Sequence, residues 1–324
     1  LRLFTNQFYN NLVPSAVDIY SESSDLIVKS DLMLEMSGQR IIPDEGNGWN
    51  FTALRDINFY LQYSHNCTEV NARNRYDGVA RFFRAYFYFE KVKRYGDIPW
   101  YDKALDSDDP ELYKARDSRE FVMQKMLEDL DFAIANLPKT KNAYVLTRWT
   151  ALALKSRVCL FEGTFRKYHG LEDCEKYLNA CVSASETFMN ESGYTLYKSG
   201  STPYRDLFAS INLQADEVIF GRDYEASLSV LHNVQNYENS TTMGRPGMNK
   251  KIVNSYLMAD GSRFTDKAGY ETMTFDQECQ NRDPRLAQTI RTPGYTRIGS
   301  TKKEAPNLAY TMTGYHLIKY SMTA

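Results

Sequence analysis

The sequence predicts a mainly α-helical fold in which helix pairs form a scaffold and a loop-rich region carries short strands. Two observations lead to this prediction. Apolar residues recur at helical spacing in four consecutive segments between about residues 76 and 188. After residue 192 the pattern changes to turn signals and short aliphatic runs. With 324 residues and 43% hydrophobic content, the chain is long enough to bury a large core.

The first helix is predicted from Tyr76 to Tyr95 and has the clearest period. Its apolar stripe consists of Phe82, Ala85, Phe89 and Val92. Gly96 suits a left-handed cap, and Pro99 blocks any continuation. We therefore expect this helix to end at Tyr95, with a wide face buried.

Three further amphipathic helices are predicted to follow. The second begins at Asp117, where Glu120 completes a capping-box arrangement, and Pro138 ends it. The third starts at about Arg148 and the fourth at about Leu171. Their short or capped connections favour antiparallel pairs.

Each pair resembles a tetratricopeptide unit, with small residues at the points of close helix approach. The two pairs start about 70 residues apart, whereas the regular repeat is roughly 34. The difference is an insertion from Asp97 to Arg116, rich in Asp and Pro, which we expect to be an exposed loop. In the second half, Glu217 to Phe220 is predicted to be a strand, and Asp260-Gly261 and Pro293-Gly294 are predicted turns.

The charge balance bears on the partners of the protein, and the cysteine positions bear on disulfides. Lys and Arg number 39 against 41 Asp and Glu, so nucleic acid and anionic membranes are not expected, and a neutral ligand fits better. Cys174 and Cys181 share a predicted helix, about 10 Å apart, which is too far for a disulfide. A disulfide between cysteines distant in the sequence is left open as an alternative.

No stretch has the apolar length of a membrane span, and the first residues lack a signal-peptide pattern.

Five segments stand in a fixed order along the chain. The first is RFFRAYFYFEKVKRYGDIPWYDKAL at 81–105 with ARDSREFVMQKMLEDLDFAIANLP at 115–138. The others are RWTALALKSRVCLFEG at 148–163, MADGSRF at 258–264, NRDPRLAQTI at 281–290 and TGYHLIKY at 313–320. Together they resemble the SusD/RagB family of outer-membrane nutrient-binding lipoproteins. In that family a RAY-type helix ends in YGD-hydrophobic-P, and an acidic loop and an R-x-S-R-E-x-V helix ending in LP follow.

The resemblance implies a single SusD-like domain over 1–324, with the helical scaffold mainly at 53–192. The ligand-binding region is expected mainly at 38–50 and 193–312. It also implies a lipid anchor at the cell surface of the outer membrane and a TonB-dependent partner transporter of the SusC type. The lipidated Cys of the family is absent, and family members usually continue beyond Tyr320. We therefore expect the chain to be a stretch of a longer protein, truncated at both ends.

Trp49 is the first candidate for sugar contact. An aromatic face suits the apolar side of a pyranose, and Arg40, Asn47 and Asn50 lie close in sequence to bond its hydroxyls. The alternative is that Trp49 packs as a lid on a helix through Leu54. The resemblance supports the ligand assignment for the segment before the RAY helix, not for single residues.

A second candidate cluster lies in the loop-rich half. Its proposed ligand-binding residues are Tyr237, Asn239, Arg245 and Tyr270, with Tyr256 and Phe275 nearby. One or two of the rings would stack on sugar. The alternative for any single tyrosine is a structural role, with the ring buried and the hydroxyl bonded.

No catalytic constellation stands out, and the protein is predicted not to be an enzyme. Asp283 lies between two arginines, which favours a structural ion pair over a general acid. The carboxylate pairs Asp108-Asp109 and Asp129-Asp131 are interpreted as solvated surface charges.

No cofactor is expected either. The four histidines show no metal-ligand spacing, whereas calcium stays open because its oxygen ligands need no signature. The sequence thus predicts a non-catalytic protein that captures oligosaccharide. The alternatives are a peptide- or glycoprotein-binding member of the same family, a peptide-binding helical scaffold and a glycan hydrolase.

Overall fold

A computed structural model describes residues 1–14, 25–30, 33–44, 46 and 48–321. The chain divides into two compact units. Unit 1 contains Leu1–Pro14, Glu45–Thr195 and Ala215–Asp223, and unit 2 contains Ser15–Asp44, Leu196–Gln214 and Tyr224–Ala324. Each unit is described separately below, and the assignment of 1–324 to one domain stays a prediction.

The α-helices are, in chain order, α1 Arg2–Leu12, α2 Leu34–Ser37, α3 Thr52–Tyr63, α4 Val70–Tyr95, α5 Arg119–Asn136, α6 Arg148–Tyr168, α7 Cys174–Glu191, α8 Pro203–Phe208, α9 Val234–Asn239, α10 Lys250–Ser255, α11 Phe275–Glu278 and α12 Pro284–Ala287. The strands are β1 Ile27–Val28 and β2 Gly247–Met248. Single turns of 3₁₀ helix lie at Ser64–Asn66, Pro110–Tyr113, Ala226–Leu228, Phe264–Asp266 and Tyr270–Thr272.

Unit 1 consists mainly of packed helix pairs. Helix α4 packs against α5, and α6 packs against α7, while α5 joins the two pairs by packing against α6. Helices α1 and α3 lie against α4. Fully buried rings such as Phe8, Phe83 and Tyr88 fill the centre. The predicted mainly α fold with tetratricopeptide-like pairing is confirmed.

The predicted ends of the helices are partly right. Gly96 ends α4 with a φ of 70°, as expected of a residue without a Cβ. The predicted capping box at Asp117 is wrong, because Ser118 caps α5 by accepting a hydrogen bond from the Phe121 amide at 3.3 Å. Asp117 instead accepts from the Trp100 amide at 2.7 Å, and Glu120 pairs with basic residues of α6 and α7.

One predicted surface charge is buried. The Asp129 side chain is only 3% exposed and receives two hydrogen bonds from Arg84, at 2.6 and 2.7 Å. Asp131 stays 57% exposed and pairs with Lys155. The interpretation of the Asp129-Asp131 pair as solvated charge is therefore wrong for Asp129, because that position of α5 faces α4.

Unit 2 is loop-rich and holds short elements. Strands β1 and β2 pair antiparallel, with Ile27 opposite Met248. Its core is built from Val234, Tyr237, Met248, Val253, Leu286, Ile290, Tyr315 and Leu317. The predicted turns at Asp260-Gly261 and Pro293-Gly294 are confirmed.

The predicted strand at Glu217 to Phe220 is wrong. This segment belongs to unit 1 and has no strand partner, and next to it the Gly221 amide donates to the Ala143 carbonyl at 2.8 Å. Phe220 packs against the helical core, which explains the apolar pattern that suggested a strand. All five cysteines are free thiols. Among the described residues, no helix combines the length and the apolar character that a membrane span needs.

Candidate functional site

A short loop before α3 carries Trp49. Gly48 has a φ of +83°, a conformation that favours glycine, and the Trp49 amide donates to the Gly46 carbonyl at 3.0 Å. Lys91 of α4 donates from its ammonium group to the Gly48 carbonyl. Burial lowers the pKa of Lys91, and the neighbouring Arg94 adds to this effect. The scaffold helix therefore fixes the backbone on which Trp49 stands.

The Trp49 indole is held by aromatic edges while much of it stays in contact with solvent. Its ring centroid lies 5.4 Å from that of Phe51 and 4.9 Å from that of Tyr95, both in edge-to-face geometry. The Arg116 guanidinium carbon lies 4.9 Å from the indole centroid. Trp49 nevertheless remains 40% exposed, so it does not act as a closed lid on α3.

Trp49 lines a cavity of about 560 Å³, here called the Trp49 cavity. The start of α3 and the insertion between α4 and α5 form its walls. The described residues that line it are Trp49, Phe51, Thr52, Leu54, Arg55, Asn58, Pro99, Tyr101, Lys103, Leu105, Leu112, Lys114, Ala115 and Arg116. Rings, amides and cations meet here, which is the combination that sugar recognition needs.

A buried polar network holds the insertion wall in place. Asn58 of α3 donates from its side-chain amide to the carbonyls of Tyr101, at 2.8 Å, and Lys103, at 3.3 Å. The Asn58 carbonyl oxygen accepts from Arg84, which is itself paired with Asp129. A loop fixed by buried, satisfied hydrogen bonds presents its side chains at defined positions.

The charges of the lining are unbalanced. Four lining residues are cations, and none of the described lining residues carries a carboxylate. Lys103 pairs with Glu111 at 2.9 Å, which raises its pKa, and Lys114 pairs with Asp117 at 2.9 Å. Arg55 and Arg116 have no carboxylate within ion-pair distance in the described part of the chain.

The other predicted residues of this loop lie in different settings. The Asn50 side chain accepts a hydrogen bond from the Thr52 amide at 2.8 Å and so orders the start of α3. Asn50 lines a neighbouring cavity of about 660 Å³ and not the Trp49 cavity. Asn47 lies outside the described residues. Arg40 is exposed and belongs to unit 2.

The residues of the second predicted cluster do not line a common cavity. Tyr237 is only 3% exposed and packs in the core of unit 2, which matches the structural alternative. The Asn239 side-chain oxygen accepts from Arg291 and Arg297, both at 3.3 Å. The Arg245 guanidinium donates to the carbonyl of Leu308. These side chains already have protein partners.

Tyr270 is the member of that cluster with an open setting. It lines a cavity of about 620 Å³ in unit 2, and its ring packs edge-on against Phe264 at 5.7 Å. The other lining residues described are Lys251, Asn254, Ser255, Leu257, Arg263 and Thr265. Tyr270 therefore stays a predicted contact residue, separate from Tyr237.

The RDPRL segment is structural in its geometry. Asp283 caps α12 and receives hydrogen bonds from Arg285, which lowers the pKa of its carboxyl. Arg282 turns away and donates to the Val253 and Tyr256 carbonyls. Across the described ranges, no group of three or more His, Cys, Asp or Glu side chains is arranged to hold a metal ion. The absence of a cofactor stays a prediction.

Sequence reasoning missed the contribution of the insertion. Tyr101, Lys103, Lys114 and Arg116 all line the Trp49 cavity, whereas the segment was interpreted as a plain exposed loop. A signal was present, because three basic residues stand within a segment otherwise rich in Asp, beside an aromatic pair. Their meeting with Trp49 depends on tertiary contacts that have no local pattern.

Comparison with known proteins identifies the class. Residues 40–148 match a family model described as starch-binding, associating with the outer membrane, and residues 184–324 match the model of the SusD family. The chain belongs to the SusD/RagB family.

Two solved structures agree with this chain in fold, and one further relative matches in sequence. A SusD-like protein from Bacteroides fragilis superposes with a TM-score of 0.77 at 21% identity, covering 98% of this chain and 67% of that one. A SusD-like carbohydrate-binding protein from the same species gives 0.76 at 16% identity, covering 98% and 66%. The SusD-like protein P38 of Formosa agariphila is 29% identical over 87 residues, which are 27% of this chain and 17% of P38. The chain thus spans about two thirds of those structures and a small part of P38.

Proposed function

We propose that this protein captures oligosaccharide at a bacterial cell surface, holds it in the Trp49 cavity without cutting it, and delivers it to a TonB-dependent transporter of the SusC type. A lipid anchor in the outer membrane is part of this proposal. The partly exposed indole of Trp49 in the lining of a cavity with polar groups carries the assignment. The carbohydrate binding ascribed to one Bacteroides fragilis relative supports it.

The geometry suits capture and release. Trp49 and Phe51 offer aromatic surface to the apolar side of a sugar, and Arg55 and Arg116 offer hydrogen-bond donors. An open site with few stacking rings buries little of a ligand, so binding is expected to be weak. Weak binding is compatible with passing the ligand on.

The lining of the cavity does not suit hydrolysis. Glycoside hydrolysis ordinarily uses two carboxyl groups placed across the scissile bond. None of the described residues lining the Trp49 cavity has one. This supports a protein that binds glycan and leaves it intact.

A glycan array with the purified protein tests the proposal. We expect Trp49→Ala to weaken the signals of bound glycans at least about tenfold, because an exposed tryptophan in a site is commonly a dominant contact. Tyr168→Ala is the matched control, since Tyr168 is 80% exposed and does not line the cavity. Unchanged array signals in Trp49→Ala would refute the site.

Two further readouts complete the test. The melting temperature of Trp49→Ala should stay close to that of the wild type, and a large drop would show that Trp49 is a core residue. Bound glycans should also be recovered intact. New reducing ends that disappear on changing one Asp or Glu would identify a hydrolase instead.

A further inference from the structure

We infer that the Trp49 cavity selects acidic oligosaccharides, whose carboxylate or sulfate ester groups are bound by Arg55 and Arg116. This inference rests on the proposed function and names the class of glycan. It replaces the neutral ligand that the overall charge of the chain suggested, because the distribution of charge in the cavity differs from the total.

The first support is the one-sided charge of the lining. Arg55, Lys103, Lys114 and Arg116 are the charged members of the described lining, and all four are cations. The insertion that forms one wall is rich in Asp, yet the described acidic residues of this segment are absent from the lining. The contrast between an acidic segment and a basic cavity surface is difficult to explain by solubility alone.

The second support is that the two pairs of cations differ in what balances them. Carboxylates outside the lining neutralise the lysines, through Lys103 with Glu111 and Lys114 with Asp117. The guanidinium groups of Arg55 and Arg116 have no such partner among the described residues. Among the described residues, the Arg55 side chain makes one hydrogen bond, a long one of 3.4 Å to the Leu105 carbonyl.

The third support is the position of Arg116 against Trp49. Its guanidinium carbon lies over the indole ring, 4.9 Å from the centroid, so a cation is in contact with the aromatic surface at the cavity. A sugar bound against the exposed part of the indole would lie next to this arginine. Guanidinium groups bind carboxylate and sulfate oxygens with charge-assisted hydrogen bonds, often two at a time.

The test compares charged glycans with neutral counterparts of the same backbone. Oligogalacturonides and their methyl esters probe the carboxylate, and carrageenan oligosaccharides before and after desulfation probe the sulfate ester. Affinity is measured by titration calorimetry at low and high ionic strength, since salt screens the interaction of exposed charges. The wild type should prefer the charged member of at least one pair, more strongly at low salt.

Variants then assign the preference to residues. Arg116→Gln and Arg55→Gln should each weaken binding of the charged glycan about tenfold more than binding of the neutral counterpart, because glutamine keeps a hydrogen-bond donor for sugar hydroxyls but loses the positive charge. Arg116→Lys keeps the charge and should lose less. Lys167→Gln is the matched control, because it removes one exposed positive charge of unit 1 away from the lining.

Each outcome decides between the claims. Trp49-dependent binding of neutral glycans, with no preference for charge and no response to the arginine variants, would overturn this inference and leave the proposed function intact. A full glycan array without Trp49-dependent binding would overturn the proposed function, and the inference would fall with it. The responding pair identifies the acidic group.

Discussion

At the scale of single residues, the environment of a side chain decides its role, and sequence shows that environment only in part. Trp49 was a candidate because it follows glycines in a segment without helical period, and the structure leaves it partly exposed. Tyr237 was a candidate because it belongs to the loop-rich half of the chain, yet it lies in α9 and is buried in the core. Burial depends on contacts with residues distant in the sequence, and the local sequence around Trp49 or Tyr237 does not predict these contacts.

Asp129 and Asp131 show the same limit for charged residues. They stand two positions apart on α5, so they face different directions around the helix. Asp129 meets Arg84 inside the fold, and Asp131 meets Lys155 at the surface. The helical period predicts that the two side chains point in different directions. It does not predict that the buried Arg84 lies opposite Asp129.

Asp129→Ala should lower the free energy of unfolding by about 3 to 5 kcal/mol, because it leaves the buried Arg84 guanidinium without its carboxylate. Asp131→Ala is the matched control and should cost no more than about 1 kcal/mol, since the Asp131 side chain is 57% exposed. Urea unfolding of both variants measures the difference. Equal losses would contradict the buried pair.

His316 gives a prediction about pH. It is buried, its Nε2 donates to the Glu238 carbonyl at 2.7 Å, and its Nδ1 accepts from the Asn307 amide at 3.3 Å. This pattern needs the neutral ring. Burial, followed by the repulsion of Arg291, lowers the pKa of His316 to about 4.

The unfolded chain therefore binds a proton at His316 between about pH 6.5 and pH 4, and the folded chain does not. Stability should fall as the pH drops through this window, by about 2 kcal/mol from this residue at pH 5 relative to neutral pH. Histidine NMR signals followed against pH, with urea unfolding at both pH values, measure this. A ring that titrates near pH 6.5 in the folded protein would contradict it.

At the scale of elements, the helices of unit 1 were largely predictable and their caps were not. The period of apolar residues predicted the start of α6 at Arg148 and that of α7 to within three residues, whereas α4 begins at Val70, six residues before the predicted Tyr76. The cap of α5 was assigned to Asp117 in place of Ser118, since both residue types cap helices well. Tertiary partners decided between them, with the Trp100 amide and Lys114 engaging Asp117.

The close approach of α6 and α7 depends on Gly163. A Cβ at that position would lie 2.7 Å from Leu178 side-chain carbons and 3.1 Å from the Leu178 backbone nitrogen. Gly163→Ala should therefore lower the free energy of unfolding by about 1 to 3 kcal/mol despite its better helix propensity.

Gly78→Ala provides the control within α4. Its Cβ would meet Leu137 at 3.4 Å, an ordinary contact, and the helix should gain up to about 1 kcal/mol. Thermal melts of the two variants should shift in opposite directions. A Gly163→Ala protein as stable as the wild type would show that α7 is not held this closely.

At the scale of the whole molecule, the sequence segments at 81–105 and 115–138 indicated the family because their residues build the helical scaffold. Arg84 of the RAY helix pairs with Asp129, and Asp97 of the YGD turn accepts from the Arg119 amide at the start of α5. Trp100 is buried against Tyr88, with ring centroids 4.3 Å apart. These residues do not line the Trp49 cavity themselves. They hold the cavity wall in position, and the neighbours of Trp100, Pro99 and Tyr101, belong to the lining.

The same division explains why the ligand was not predictable. The side chains of the Trp49 cavity come from a loop and an insertion, where no repeating pattern constrains them. Charge totals over 324 residues then averaged out the four cations of the lining. Fold and family could be predicted from the sequence, whereas the chemistry of the site needed the three-dimensional arrangement.

The most direct test of the central claim is acrylamide quenching of intrinsic tryptophan fluorescence, with and without a glycan that the array shows to bind. All three tryptophans lie in the described part of the chain, and Trp100 and Trp149 are 6% and 3% exposed against 40% for Trp49. A sugar bound in the Trp49 cavity should reduce the fraction of tryptophan fluorescence that acrylamide quenches. In the Trp49→Phe variant, the same sugar should leave that fraction unchanged. Saturating glycan that leaves Trp49 as accessible to acrylamide as before would contradict the account.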